Sequence, residues 1–407
     1  MSRSPRPPMS VEQFACGFRE HLASQGYSRH RLALHMKHLM HLGSWLEEQG
    51  LDPGGLTQPH VEAFLIARRS AHAYLAGLSM RGLAPMLRYL RQIGAVPLPT
   101  PSASATPVDQ MLEEFIGYLR RERGLAELTV EGYRYTASRF LSLRASLAAG
   151  DTDGLGISEL RPKDVTTFIL GEAERRQAGA LRQTVSAVRA LLRFLHVHGH
   201  LPTPLTAAAQ GAASWRGGEL PRALEPGQAG QLLASCDRRT ASGLRDYAIL
   251  MLLWRLGLRA GEVAECRVGD IDWRRGEILV RGKGNRQETL PLPVDVGQAL
   301  VDYCCQGRPQ ASRCRAFFVQ KTAPYGPLST AAVSGAVRQT CIRAGVPPVG
   351  AHRLRHTAAT EMLRAGTPLA EIGQVLRHRD LATTALYAKV DHESLRALAR
   401  PWPGSVA

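Results

Sequence analysis

Apolar residues recur at intervals of three and four along the first half of the chain, which is the spacing of amphipathic helices. Phe18 and Leu22 begin one such pattern, and Phe115 and Leu119 begin another. Segments rich in proline and small residues interrupt these patterns at 97–107 and 206–226, as linkers do. The sequence therefore predicts a helical bundle over 1–96, a second bundle over 108–205 and a third domain over 227–400.

The two predicted bundles contain similar motifs in the same order. LTQPHVEAF at 56–64 parallels LRPKDVTTF at 160–168, and LRYLRQIG at 87–94 parallels LRFLHVHG at 192–199. Any two amphipathic bundles share some resemblance, but here the matches keep their order along the chain. We interpret the first bundle as a duplicate of the second.

The third domain begins with helical patterns. Residues 246–256 are typical of a buried helix that ends at Gly257, and a new helix is expected over 260–266. Most of the remaining chain also has a helical pattern. The exception is a short strand-like stretch at 316–319.

A β-hairpin is predicted between these helices. EILVRG at 277–282 and QETLPL at 287–292 flank KGNR at 283–286, which supplies Gly-Asn for the turn. The expected fold class is mainly α with a small β-sheet: helical N-terminal bundles followed by a mixed α/β domain.

The charge of the chain narrows the class of partner. Among 407 residues there are 51 Lys and Arg against 35 Asp and Glu, which gives a net charge of +16. Such a balance predicts a polyanionic partner, either nucleic acid or an anionic membrane. The longest apolar run, 247–254, is too short to span a membrane, and no apolar signal region follows the N-terminus. The seven cysteines form no CxxC pair, as expected of reduced thiols. We expect a cytoplasmic, nucleoid-associated protein.

Candidate chemistry is concentrated in the third domain. One arginine follows the helix break at Gly257, and a lysine stands in the hairpin turn. A histidine and an arginine three residues apart share a helix face, and a second histidine precedes a tyrosine by nine residues. In chain order these residues are Arg259, Lys283, His352, Arg355, His378 and Tyr387.

This set resembles the active site of the tyrosine recombinase (phage integrase) family of site-specific DNA recombinases. The resemblance covers 220–400, and 108–205 is similar to the family's helical core-binding (SAM-like) DNA-binding domain. Each motif alone has low specificity, but all six in order and in matching context are specific. Glu262 matches a family position that supports the site from behind.

The resemblance implies breakage and rejoining of duplex DNA through a 3′-phosphotyrosyl intermediate and a Holliday junction, for a mobile genetic element. Tyr387 would be the nucleophile and Lys283 the general acid for the leaving oxygen. Arg259 and Arg355 would hold the non-bridging phosphate oxygens, and His352 and His378 would donate hydrogen bonds or manage protons. No cofactor and no metal are expected, since the arginines supply the positive charge.

The expected partners follow from the same resemblance. They are duplex DNA with specific recombination sites, and a homotetramer or a heterotetramer with sister recombinases on paired sites. No membrane partner is expected. The pattern at 391–399 predicts a short amphipathic helix that packs in trans on a neighbouring subunit, with packing in cis as the alternative. The first bundle would bind additional DNA or a sister recombinase.

Ordinary explanations exist for each residue alone. Arg259 and Arg355 could form surface ion pairs, Tyr387 could be half-buried, and Lys283 could be merely solvated. His352 and His356 could bind zinc, but no Glu follows His352 and no third ligand is placed. Their joint occurrence outweighs these explanations.

Two other functions remain open at this point. A type IB topoisomerase uses a similar residue set on a related fold but relaxes DNA without pairing sites. A non-catalytic DNA-binding accessory would not need Tyr387. The chain also departs from the family at Arg377, where glycine is usual. Arg377 would strain a left-handed backbone, or it would add a phosphate contact.

Overall fold

The computed structural model describes residues 11–70, 78–98, 106–147, 155–175, 178–210, 223–282, 286–377 and Thr384. The chain divides into two compact units. One unit combines residues 1–98 with 219–407, and the other comprises 99–218. None of the helices in these ranges has the length and hydropathy required to cross a membrane.

In its described residues, the first bundle contains four α-helices around an apolar core. Phe18, Leu39 and Phe64 are fully buried in it, as their helical spacing predicts. Ser28 and Ser79 begin two of the helices, each with its hydroxyl accepting a backbone N–H. The helices are α1 (Ala15–Ser24), α2 (Arg29–Glu48), α3 (Gln58–Ser70) and α4 (Met80–Gln92).

The part of the second bundle that the structure describes also contains four α-helices in succession. Thr106 forms a capping box with Asp109, and Pro107 takes the first helical position, where its missing N–H costs nothing. Phe115, Phe140 and Phe194 lie in the core. The shared helix order agrees with a duplication, which stays a prediction. The helices are α5 (Pro107–Arg121), α6 (Glu127–Leu147), α7 (Pro162–Arg175) and α8 (Ala178–Val197).

The third domain combines helices with a small antiparallel sheet, whose strand β2 contacts α11, and the expected fold class is confirmed. The sheet has the order β1 (Ile271–Asp272), β2 (Glu277–Gly282) and β3 (Arg286–Pro291). The predicted hairpin is present, but Gly282 pairs with Arg286, so β3 begins one residue earlier than predicted. The helices are α9 (Gln228–Ala234), α10 (Ala241–Arg255), α11 (Ala260–Glu265), α12 (Val294–Asp302), α13 (Thr330–Arg343), α14 (Ala351–Arg364) and α15 (Leu369–Val375).

The strand predicted at 316–319 is wrong. Ala316 and Val319 form only isolated bridges, to Arg267 and Pro327 respectively. Phe317 and Phe318 are both fully buried. Consecutive side chains of a half-buried strand point to opposite faces, so this pair of apolar residues indicated burial rather than strand pairing.

A loop of the third domain contacts the first bundle within the same compact unit. The hydroxyl of Tyr325 donates a hydrogen bond of 3.2 Å to the carbonyl oxygen of Gly26. Ala323 packs against the core of the bundle. No sequence pattern predicted this contact, because it joins residues 299 positions apart.

Candidate active site

The break between α10 and α11 places Arg259 at the start of a helix. Gly257 has φ +58°, a left-handed conformation that glycine adopts without strain. Leu258 is buried and anchors the turn. Arg259 then has extended backbone and caps α11. Its side chain is 42% exposed, so its guanidinium is accessible to a ligand.

Glu262 holds Arg259 from the protein side. Its Oε1 accepts a hydrogen bond of 2.6 Å from Arg259 Nη1, and its Oε2 accepts one of 2.9 Å from the Arg259 backbone N–H. Only 4% of the Glu262 side chain is exposed. This geometry agrees with the supporting role expected for Glu262.

The carboxylate of Glu262 is ionised despite its burial. Burial opposes ionisation, but the hydrogen bond from the Arg259 N–H and the charges of Arg377 and Arg259 outweigh it and lower the pKa of Glu262. The site therefore contains a buried carboxylate shared by two guanidinium groups.

Arg377 supplies the second of these guanidinium groups. Its Nη2 donates a hydrogen bond of 2.7 Å to Glu262 Oε2, and its side chain is 6% exposed. Its φ of +55° confirms that this position has a left-handed backbone, which costs a non-glycine residue about 1 kcal/mol. Sequence reasoning foresaw strain or a phosphate contact here, but it missed the pairing with Glu262. The only indication was an arginine where glycine is usual.

Arg355 joins three segments of the site. It lies on α14 with 1% of its surface exposed. Its Nη1 donates to the carbonyl of Gly257 and its Nη2 to the carbonyl of Leu376. The Arg355 guanidinium thus connects the break after α10 with the end of α15. The two predicted arginines differ, since Arg259 is accessible and Arg355 is enclosed.

His352 lies one helical turn before Arg355 and keeps an exposed surface. Surrounding protein atoms reduce the hydration of its imidazole, and the charges of Arg355 and Arg259 add to this effect, so the pKa of His352 is lowered. His352 shares a face of α14 with Arg355, whose guanidinium contacts Gly257, two residues before Arg259. The rings of His352 and His356 are 4.2 Å apart between centroids. Within the described ranges, no three His, Cys, Asp or Glu side chains are grouped as metal ligands.

The structure brings together Arg259, Glu262, His352 and Arg355. Lys283, His378 and Tyr387 lie outside the described residues, as does the predicted helix at 391–399. The residues just before Lys283 and His378 are described, and both lie at the site. A Cβ on Gly282 would be 4.0 Å from Glu262 Oε1, and Arg377 pairs with Glu262.

Comparisons with known proteins identify the family. Residues 222–394 match the model of the phage integrase family, and 112–199 match that of the phage integrase N-terminal SAM-like domain. The integrase/recombinase y4rA of Sinorhizobium fredii is 36% identical over 99% of this chain and 97% of that protein. The chain belongs to the phage integrase family.

Other members of the phage integrase family are more distant. The tyrosine recombinase XerC of Bifidobacterium longum is 28% identical, over 72% of this chain and 97% of that protein. A structure of XerH bound to a palindromic difH substrate has a TM-score of 0.55 at 17% identity, over 83% of this chain and 93% of that one. A lambda integrase tetramer bound to a Holliday junction has a TM-score of 0.52 at 17% identity, over 77% and 88%. These structures share the fold.

Proposed function

We propose that this chain is a site-specific DNA recombinase of a mobile genetic element. It breaks and rejoins duplex DNA through a 3′-phosphotyrosyl intermediate and a Holliday junction. The observation that carries the proposal is the convergence of four residues from the start of α11 and from α14: Arg259, Glu262, His352 and Arg355. A protein that only held DNA would not need a buried carboxylate aligning an accessible guanidinium.

The proposed reaction exchanges one ester bond for another. The hydroxyl oxygen of Tyr387 attacks the scissile phosphorus, the bond from phosphorus to the 5′ oxygen breaks, and a 3′-phosphotyrosine forms. A phenol has a pKa of about 10, so its proton must pass to a base during attack. Lys283 gives a proton to the departing 5′ oxygen. The bond energy is retained, so the reverse attack rejoins DNA without ATP.

The transition state concentrates negative charge on the non-bridging oxygens of the phosphate. Arg259 has an accessible guanidinium, and its Nε has no partner among the residues described, so it can bind these oxygens. Arg355 contributes positive charge from the protein interior and maintains the shape of the site. His352 and His378 donate hydrogen bonds or relay the proton of Tyr387. Removal of one preorganised donor typically costs on the order of 3 kcal/mol of transition-state stabilisation.

The proposed substrate is duplex DNA with paired recombination sites, bound by a tetramer of this chain or of this chain with sister recombinases. The XerH structure with difH and the lambda integrase tetramer on a Holliday junction support this assembly. Because its proposed substrate is DNA, we expect the protein in the cytoplasm, associated with the nucleoid.

A nicked suicide substrate tests the proposal. DNA spanning the ends of the element that encodes the chain would carry a nick beside the cleavage position. After cleavage the short strand with the free 5′ hydroxyl diffuses away, so the covalent adduct cannot be rejoined. Wild-type protein should form a covalent adduct that survives denaturing electrophoresis. Tyr387→Phe should form none, whereas Tyr247→Phe, which alters a tyrosine on α10, should retain it.

Three results would contradict this function. An adduct formed by Tyr387→Phe would exclude that residue as the nucleophile. Relaxation of any supercoiled plasmid, without exchange between paired sites, would instead indicate a topoisomerase. Specific binding without cleavage by the wild type would indicate an accessory protein.

A further inference from the structure

The guanidinium of Arg377 lies buried within the candidate site. It shares the carboxylate of Glu262 with Arg259: Arg377 Nη2 reaches Oε2 at 2.7 Å, and Arg259 Nη1 reaches Oε1 at 2.6 Å. The Arg377 and Glu262 side chains are almost fully buried, at 6% and 4% exposure. The Arg259 side chain is 42% exposed.

The backbone of Arg377 also contacts Arg259. Its carbonyl oxygen accepts a hydrogen bond of 3.4 Å from Arg259 Nη2. Arg259 is therefore held at three atoms, its backbone N, Nη1 and Nη2, while Nε has no partner in the described part of the chain. A guanidinium fixed in this way loses little freedom when it binds a phosphate.

The charge balance gives Arg377 a second effect. Glu262 and Arg259 alone would form a neutral pair, and the carboxylate would offset much of the charge that Arg259 presents to DNA. With Arg377 the group of three carries a net charge of +1, which Glu288 offsets only in part, because its carboxylate is 47% exposed and its Oε2 lies 4.0 Å from Arg377 Nε. A low-dielectric site makes that difference larger than it would be in water.

We propose that Arg377 is a positioning residue for Arg259, and through Arg259 for the scissile phosphate. Its Nη2 donates to Oε2 of Glu262, while Oε1 orients the Arg259 guanidinium. Its left-handed backbone directs its carbonyl oxygen to Arg259 Nη2. Arg377 itself is enclosed and does not contact the DNA. This inference rests on the proposed function.

The test measures single-turnover cleavage of the suicide substrate at saturating DNA, with DNA affinity measured separately by fluorescence anisotropy. Arg377→Gln should lower the cleavage rate at pH 7 by about 10- to 100-fold, as misplaced catalytic groups do. DNA affinity should stay within about threefold, because Arg259 rather than Arg377 contacts the phosphate. Arg377→Lys should recover part of the rate, since it returns the positive charge. Arg364→Gln, which removes an exposed charge from the end of α14, is the matched control.

The pH profile separates positioning from a general structural role. Without Arg377 the pKa of Glu262 rises, because one of the charges that lower it is lost. The cleavage rate of Arg377→Gln should therefore begin to fall at a higher pH than that of the wild type. The double variant Glu262→Gln/Arg377→Gln should lack this shift.

Arg377→Gly guards against a folding artefact, because glycine suits φ +55° and relieves the backbone strain. It should fold and still cleave slowly.

The inference is overturned if Arg377→Gln and Arg377→Gly cleave as fast as Arg364→Gln. It is also overturned if DNA affinity falls as much as the cleavage rate, which would make Arg377 a phosphate contact. An unchanged pH profile in Arg377→Gln would also overturn it. Failure of the wild type to form the Tyr387 adduct would instead reject the proposed function.

Discussion

A Cβ atom on Gly257 would lie 2.5 Å from Cδ2 of Leu376. The break that precedes Arg259 and the end of α15 therefore meet where only a hydrogen atom fits. Arg355 bonds to the carbonyl oxygens of the same two residues. This contact sets the separation between the segment that carries Arg259 and the segment that leads to His378.

We expect Gly257→Ala to lower both stability and cleavage. The left-handed φ costs alanine about 1 kcal/mol, and the clash with Leu376 adds about 1–3 kcal/mol. Gly276→Ala is the control, because Gly276 has φ +64° and no atom within 4 Å of its Cβ position. Urea unfolding should show a larger loss for Gly257→Ala. Equal losses would contradict the packing argument.

Local spacing predicted the parts of the site that lie on one element. Arg259 and Glu262 are three residues apart on one helical turn, as are His352 and Arg355. The hairpin was predicted because Gly-Asn favours its turn. The pairing of Glu262 with Arg377 spans 115 positions. No periodic pattern encodes such a pair, since it depends on how the fold brings the residues after α15 to α11.

The enclosure of Arg355 was also beyond sequence reasoning. Its two carbonyl partners lie 98 and 21 positions away. An arginine motif predicts phosphate binding equally well for an accessible and an enclosed guanidinium. Only the packing of α14 against the break after α10 distinguishes Arg355 from Arg259.

Glu262→Gln should destabilise the protein, because the buried guanidinium of Arg377 loses its buried carboxylate partner and keeps the exposed carboxylate of Glu288 at 4.0 Å. Loss of one partner of a buried pair typically costs about 3–5 kcal/mol. Glu265→Gln, on the exposed face of the same helix, should change stability by less than about 0.5 kcal/mol. Urea unfolding at pH 7 distinguishes the two variants.

Comparing the wild type with Glu262→Gln at different pH tests the ionisation of Glu262. The pKa of Glu262 is lowered in the folded state, so its stabilising contribution is full above its ordinary value of 4.5 and is lost as pH falls through the folded value. The difference in unfolding free energy between wild type and Glu262→Gln should shrink below pH 4.5. A constant difference down to pH 3 would show that Glu262 is not an ionised partner of the arginines.

His352 should be neutral at pH 7 in the free protein, since its pKa is lowered from 6.5. NMR titration of its Cε1–Hε1 signal should give a midpoint below 6.5. Arg259→Gln should raise that midpoint by removing one of the charges that oppose protonation, and Arg364→Gln should leave it unchanged. A midpoint at or above 6.5 in the wild type would be inconsistent with the described surroundings of His352.

The predicted helix at 391–399 gives a prediction from the sequence alone. Leu395 and Leu398 lie on one face of it. Truncation after residue 390 should abolish pairing of two DNA sites in a gel-shift assay and leave binding to a single site intact. Unchanged pairing would favour packing of the segment in cis.

The contact between the first bundle and the third domain is open to a direct test. A Cβ on Gly26 would lie 2.6 Å from Cε2 of Tyr325 and 2.9 Å from Cβ of Ala311. Gly26→Ala should therefore separate the loop of the third domain from the bundle. Hydrogen exchange should rise at 309–327 while the core of each domain keeps its protection.

Gly50→Ala is the matched control. Gly50 has φ +64°, so alanine meets the same left-handed strain there, but its Cβ would have no neighbour within 4 Å. It should lose a similar amount of bundle stability without altering exchange in the loop. Equal exchange at 309–327 in the two variants would show that Gly26 does not hold this contact.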